Sequence, residues 1–283
     1  MPAVSLQILR RRMQELSLLL EDIPRFKRGL QRLLEQYADL SYHPGETIPL
    51  DKASERLLVP PVVVNEIEAF LSAWAVQYPE PALHLADLFW EEATPLYRHL
   101  AAVLLREVPI TSTTQLAIQE RLSKWINDVE GASHFIPTMI TAAEGLQKNV
   151  PEAWLDLVHT WLFSRSPGSH RVALVALRHL IQNTAFDNLP LIFEWLSAWL
   201  QEFSTSSLTA ETLDLLQALT ERSPAETAYF LRQLLGLLPP PTARRLIRAV
   251  LPILPEDYRQ RLQSALRVVN AQVKPPPTEQ PLV

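Results

Sequence analysis

An all-α chain, built as a solenoid of stacked helix pairs, is predicted by three observations. Apolar residues recur at spacings of three and four, as in Leu6, Leu9, Met13, Leu16 and Leu20, and no stretch alternates as a strand. Prolines, 24 of them against 6 glycines, stand between the periodic stretches, where they open or close helices. The third observation is an internal repeat. PLYRHLAAVLLR at 95–106 and PGSHRVALVALR at 167–178 align without a gap, so that Pro95 and Pro167, Ala101 and Ala173, and Arg106 and Arg178 fall 72 residues apart. Pro239 opens PPPTARRLIRAV at the same interval again. Self-similarity of this period marks an array in which one helix pair cannot bury its apolar face until its neighbours stack on it.

Taken in order, the chain opens with a helical hairpin at 1–40, its helices near 3–21 and 24–40. SYHPGETIPLDKASERLLVPP at 41–61 reads as a Pro-containing linker. A repeat domain over 62–270 starts with a helix near 62–77 and continues as five helix pairs. Their first helices lie near 80–92, 112–130, 151–165, 188–203 and 224–237, and their second helices near 94–108, 132–148, 167–182, 206–222 and 240–253. A last helix near 255–269 precedes a Pro-rich tail at 271–283 that is expected to be disordered.

Composition narrows the classes. With 47% hydrophobic and 20% charged residues, 283 residues suffice for a large core or several small ones in series. The absence of cysteine excludes disulfides and thiolate ligands and suits a reducing compartment. Arg10, Arg11 and Arg12 follow apolar residues rather than precede them, unlike a secretory signal. The longest uncharged run, Gly131 to Ala143, falls short of the roughly 20 apolar residues of a membrane span. The chain is therefore expected to be soluble and cytoplasmic, with no membrane partner. A net charge of −5 argues against indiscriminate nucleic-acid binding by the whole molecule and leaves any one face open.

Motifs for chemistry are scarce. No Gly-rich phosphate loop, G-x-S-x-G elbow or H-E-x-x-H helix occurs, and no cofactor is implied. His84 with Asp87, and Asp156 with His159, sit one helical turn apart but lack a third metal ligand at helical spacing, so no metal site is expected.

The period and the breaker-then-Arg helices resemble HEAT repeats, and SRSPGSHRVALVALRHLI resembles the arginine-bearing stretch of the bacterial DNA alkylation-repair glycosylases. That resemblance implies a HEAT-like α-solenoid in which first helices form the outer layer, second helices line a concave face, and the concave face cradles DNA. It also implies that Arg171 matches the family's arginine, and that an aromatic residue and a carboxylate belong on the second helix of the preceding repeat. Here ASHFIPTMITAAEGLQK offers Phe135 and Met139 at those places, and Glu144 lies too far along. Trp125 and Asp128 offer a substitute, but three residues apart and on a first helix. Six of the seven tryptophans, Trp90, Trp125, Trp154, Trp161, Trp195 and Trp199, fall on first helices, where core packing is expected.

Charge placement supplies the functional signal. The five first helices carry twelve acidic and four basic residues, the second helices nine basic and five acidic. Arg98, Arg171, Arg244 and Arg245 lie near helix starts, where the helix dipole disfavours cations, so they need another reason. One is pairing with an acid of the preceding turn; the other is an anionic partner, since clustered guanidinium groups bind phosphate bidentately. The sequence thus predicts a non-catalytic binding scaffold whose moderately basic concave groove takes a nucleic-acid backbone or an acidic protein surface through Arg98, Arg171, Arg244 and Arg245. The alternative is a divergent glycosylase acting on alkylated bases.

Overall fold

Hydroxyl and amide caps, and prolines that have no N–H to satisfy, start almost every helix. The computed structural model describes residues 5–38, 59–129, 133–203 and 209–273, and among these it contains fourteen α-helices, three short 3₁₀ turns and no strand. The hairpin consists of α1 (Leu6–Ser17) and α2 (Ile23–Tyr37), and α3 (Pro61–Gln77) follows. The helix pairs are α4 (Pro79–Glu91) with α5 (Pro95–Glu107), α6 (Ser112–Trp125) with α7 (Ile136–Asn149), and α8 (Pro151–Leu162) with α9 (Pro167–Gln182). Next come α10 (Leu189–Glu202) with α11 (Ala210–Arg222), and α12 (Pro224–Leu237) with α13 (Pro240–Val250), before the last helix, α14 (Glu256–Val273). The linker expected at 41–61 lies outside the described residues up to residue 58, as does the expected tail beyond residue 273.

Thr94, Ser166, Asn188 and Thr209 each accept a hydrogen bond from the backbone N–H three residues on, and Thr111 and Thr114 cap each other reciprocally. The helix expected over 112–130 is α-helical only to Trp125 and tightens to a 3₁₀ turn over Ile126–Val129; a second such turn, Ser133–Phe135, leads into α7.

The chain divides into two compact units, Met1–Leu157 and Val158–Val283, the division falling within α8. In the first unit, α5 packs between α3 and α7, and α4 packs on α6, so that second helices stack on second helices and first on first. The hairpin joins this array through α1 against α3 and α2 against α4. In the second unit α9, α11 and α13 form one layer and α10, α12 and α14 the other. The fold is all-α and solenoid-like. Its cores run along the layers: Phe26, Ile67, Leu71, Leu85, Phe89 and Leu100 are fully buried in the first unit, and Leu177, Leu216, Leu231 and Ile247 in the second.

Close stacking depends on small residues. Ala101 and Ala102 on α5 are fully buried, and a Cβ added to Gly145 on α7 would run into the backbone carbonyl of Arg106 on α5. A Cβ added to Gly236 on α12 would meet no other part of the described residues within 4 Å. Gly145→Ala is therefore expected to lower stability by about 1–3 kcal/mol through forced separation of the two helices. Gly236→Ala should instead raise it by about 0.5–1 kcal/mol, since only helix propensity changes there. Denaturant midpoints of the two variants against the parent chain measure both effects.

Candidate functional site

Where α4 ends and α6 gives way to its 3₁₀ turn, the first unit gathers Trp90, Trp125 and Phe135 beside one charge. Trp90 and Trp125 stack face to face, ring centroids 4.3 Å apart and planes within 3°. Both are buried. The Trp90 indole N–H donates to Asp128 Oδ2 at 2.7 Å. In a 3₁₀ turn, residues three apart eclipse, so Asp128 projects on the side of the chain that Trp125 occupies one turn earlier. Asp128 itself remains exposed.

Arg98, in the first turns of α5, enters from the other side. Its guanidinium carbon lies 4.7 Å from the centroid of the Trp90 ring and 4.1 Å from that of Phe135, and the residue is only 8% exposed. Its Nε has no hydrogen-bond partner among the described residues. Burial pulls the Arg98 guanidinium below its ordinary value, and the charge of Asp128 works against that pull. Two aromatic faces thus take the place of the solvent Arg98 has lost. Next to it the Tyr97 hydroxyl is also buried without a hydrogen-bond partner among the described residues, and burial drives its pKa well above the usual phenol range. Phe135 is buried and Met139 wholly so, which leaves α7 presenting no carboxylate at those two places.

The second unit treats its arginines differently. Arg171, near the start of α9, donates from Nε and Nη2 to Glu211 Oε1 at 2.8 and 2.5 Å, with 37% of its side chain still exposed. Two turns along α9, Arg178 faces Asp214 of α11 at 3.5 Å. The acid that the sequence reading sought at the preceding turn comes instead from the next second helix. Arg222 binds backbone carbonyls of Ile181, Asn183, Thr184 and Phe186, closing the end of α9. Arg244 is half-buried on α13 with Nε and Nη2 lacking partners among the described residues, and Arg245 is exposed. Of the four arginines singled out by sequence, Arg98 belongs to the first unit; Arg171 and the pair Arg244 and Arg245 belong to the second, on α9 and α13 with α11 between them.

Away from this cluster, His170 and most of the tryptophans serve packing. His170 bonds the Ser164 carbonyl through Nε2 at 2.6 Å and meets Trp199 edge-on. Trp125, Trp154, Trp161 and Trp199 are buried, whereas Trp195 is only half-buried. Asp87 is taken by Arg121 at 2.8 Å, and no group of three potential metal ligands occurs among the described residues.

For Glu211, burial acts to raise the pKa and is outweighed by hydrogen bonds from Arg171, from its own backbone N–H and from Thr209, together with the charge of Arg171. Its carboxyl therefore titrates below the ordinary value of 4.5. A depressed folded-state pKa contributes stability that is present above the unfolded value and lost as pH falls through the folded one. Glu211→Gln is expected to flatten the acid limb of the stability profile below about pH 4.5 and to leave the slope above it unchanged, as read by thermal melts across pH.

Sequence comparison bears on what this arrangement is for. No curated protein and no solved structure matches the chain. A family model described as DNA alkylation repair enzyme matches residues 60–245, a span that includes Trp90, Arg98, Trp125, Asp128 and Phe135 of the first unit and Arg171, Glu211 and Arg245 of the second. The match covers well over half of the 283 residues, and the chain belongs to the DNA alkylation repair enzyme family.

Proposed function

We propose that the protein binds duplex DNA and releases N-alkylated bases from it, with Asp128 as the carboxylate that faces the reacting sugar. The observation that carries this reading is Asp128 itself, exposed yet tethered by the Trp90 indole at the rim of the aromatic cluster. Breaking the bond between C1′ and an alkylated base sends both bonding electrons to the base. The base's positive charge is cancelled and positive charge develops on the deoxyribose. A fixed carboxylate stabilises that charge, and water then adds its oxygen to C1′ and gives up a proton to solvent. A neutral donor such as the indole N–H suits this role, because it orients the carboxylate and leaves its charge in place.

Binding rests on the basic second helices of a HEAT-type array. Exposed Arg245 and the open edge of Arg171 offer phosphate donors, giving contacts that are indifferent to sequence and sensitive to salt. A cysteine-free chain suits the reducing cytoplasm. The second reading, a non-catalytic scaffold for DNA or an acidic protein surface, is favoured by one observation. Phe135 and Met139, buried on the helix where the resemblance places an aromatic residue and a carboxylate, supply no negative charge.

Asp128→Asn separates the two. Release of alkylated base from N-alkylated duplex should fall by about 100-fold or more, the scale for losing one preorganised electrostatic contact, while duplex affinity holds. Wild-type protein that binds duplex in a salt-dependent way yet releases no base above the spontaneous rate would establish the scaffold reading in its place.

A further inference from the structure

The N-terminal hairpin lies outside the span matched by the family, and its second helix carries a charge pattern that the fold leaves unused. Arg25, Arg28 and Arg32 follow one another at spacings of three and four, which places them within a 60° arc of α2. The opposite face buries Phe26, Leu30, Leu33 and Leu34. All three arginines are exposed, and none of their guanidinium groups makes a hydrogen bond or ion pair among the described residues. Their neighbours show what pairing looks like when it is available. Arg10 bonds Glu66 through two nitrogens, Arg11 reaches Glu15 at 3.3 Å, and Lys27 is bound to Glu92. Arg12 finds a neutral acceptor, Gln36, and shares with Arg32 the walls of a shallow groove between α1 and α2.

Placement makes the stripe costly unless something binds it. Arg25 stands in the first turn of α2, where the helix dipole disfavours a cation, and Asp22 caps the backbone N–H of Arg25, not its guanidinium. The three like charges also repel one another along the face. Every exposed residue of α2 after Pro24 is polar or charged, so the surface lacks the apolar side chains by which a basic helix seats itself in a membrane. The stripe is roughly 10 Å long at 1.5 Å per residue, a length that spans about three phosphates of one strand measured along a duplex axis. Guanidinium groups pair with phosphate bidentately, and three unpaired ones in a row match a polyphosphate backbone better than an isolated anion.

We infer that Arg25, Arg28 and Arg32, with Arg12 beside them, form an accessory duplex-binding face that grips the phosphate backbone independently of the site around Asp128. The inference rests on the DNA-binding reading above, though not on base release. The test uses the full chain and a variant carrying Arg25→Gln, Arg28→Gln and Arg32→Gln, with Asp128→Asn as a second comparison. Binding to a short unmodified duplex is followed by fluorescence anisotropy across a salt series. The slope of log K against log salt should become shallower by about 2 to 3 in the triple variant, at an unchanged melting temperature, while Asp128→Asn keeps the wild-type slope. An identical slope in wild type and triple variant overturns the accessory face and leaves the reading at Asp128 standing. Salt-dependent binding that needs the three arginines, in a protein releasing no base, upholds the face and removes the glycosylase. Absence of duplex binding, or a triple variant that loses only its binding to phosphatidylserine vesicles, overturns the inference.

Discussion

No helix pair in this chain can hide its own apolar face, and everything else in the fold follows from how the pairs solve that problem together. Alanines and Gly145 let α5 approach α7 until backbone meets backbone, and the apolar rows of each layer close against the next. The cost of that closeness is rigidity. A layer packed to such density transmits any added atom as a displacement of whole helices, which suits a protein that must hold side chains of different repeats in fixed register.

The aromatic cluster exists because of this register. Trp90 ends α4, Trp125 ends α6, Arg98 opens α5 and Phe135 precedes α7, so four helix termini must meet for the cluster to form. Burying a guanidinium nearly completely costs several kcal/mol. Two aromatic faces at about 2 kcal/mol each, when desolvated, offset much of it, and the charge of Asp128 acts in the same direction. The bare Nε shows that the compensation does not come from hydrogen bonding among the described residues. Arg98 thus stands as a cation whose position is fixed by packing, with an exposed carboxylate near enough to feel it.

How much of this was legible beforehand depends on the range of the interaction. Local physics is readable: proline at helix starts, apolar spacing of three and four and the 72-residue interval give the helix pairs, and nearly all the tryptophans fall in the core as their spacing implies. Asp128 is visible in the sequence beside Trp125, but its setting is not, because the helix expected over 112–130 tightens to 3₁₀ after Trp125 and nothing in the local sequence announces the Trp90 indole 38 residues earlier as its donor. The partner of Arg171 is equally hidden, because Glu211 stands 40 residues away and is delivered only by the stacking of α11 on α9. Burial of Arg98 left no trace either, because the sequence shows a charge near a helix start and not the two rings that flank it.

The arginines therefore divide by what neutralises them. Arg171 and Arg178 are held by carboxylates of the neighbouring helix in the same layer, Arg222 by the carbonyls of a helix end, and Arg98 by aromatic rings; these charges serve the fold, with an edge of Arg171 left exposed. Arg25, Arg28, Arg32 and Arg245 are exposed and are neutralised by nothing among the described residues. A chain with a net charge of −5 has no shortage of acids, so leaving these cations unpaired is a matter of position and not of supply. Charge that the fold does not consume is what a phosphate backbone could read, and it is found both on the hairpin and on α13 of the second unit.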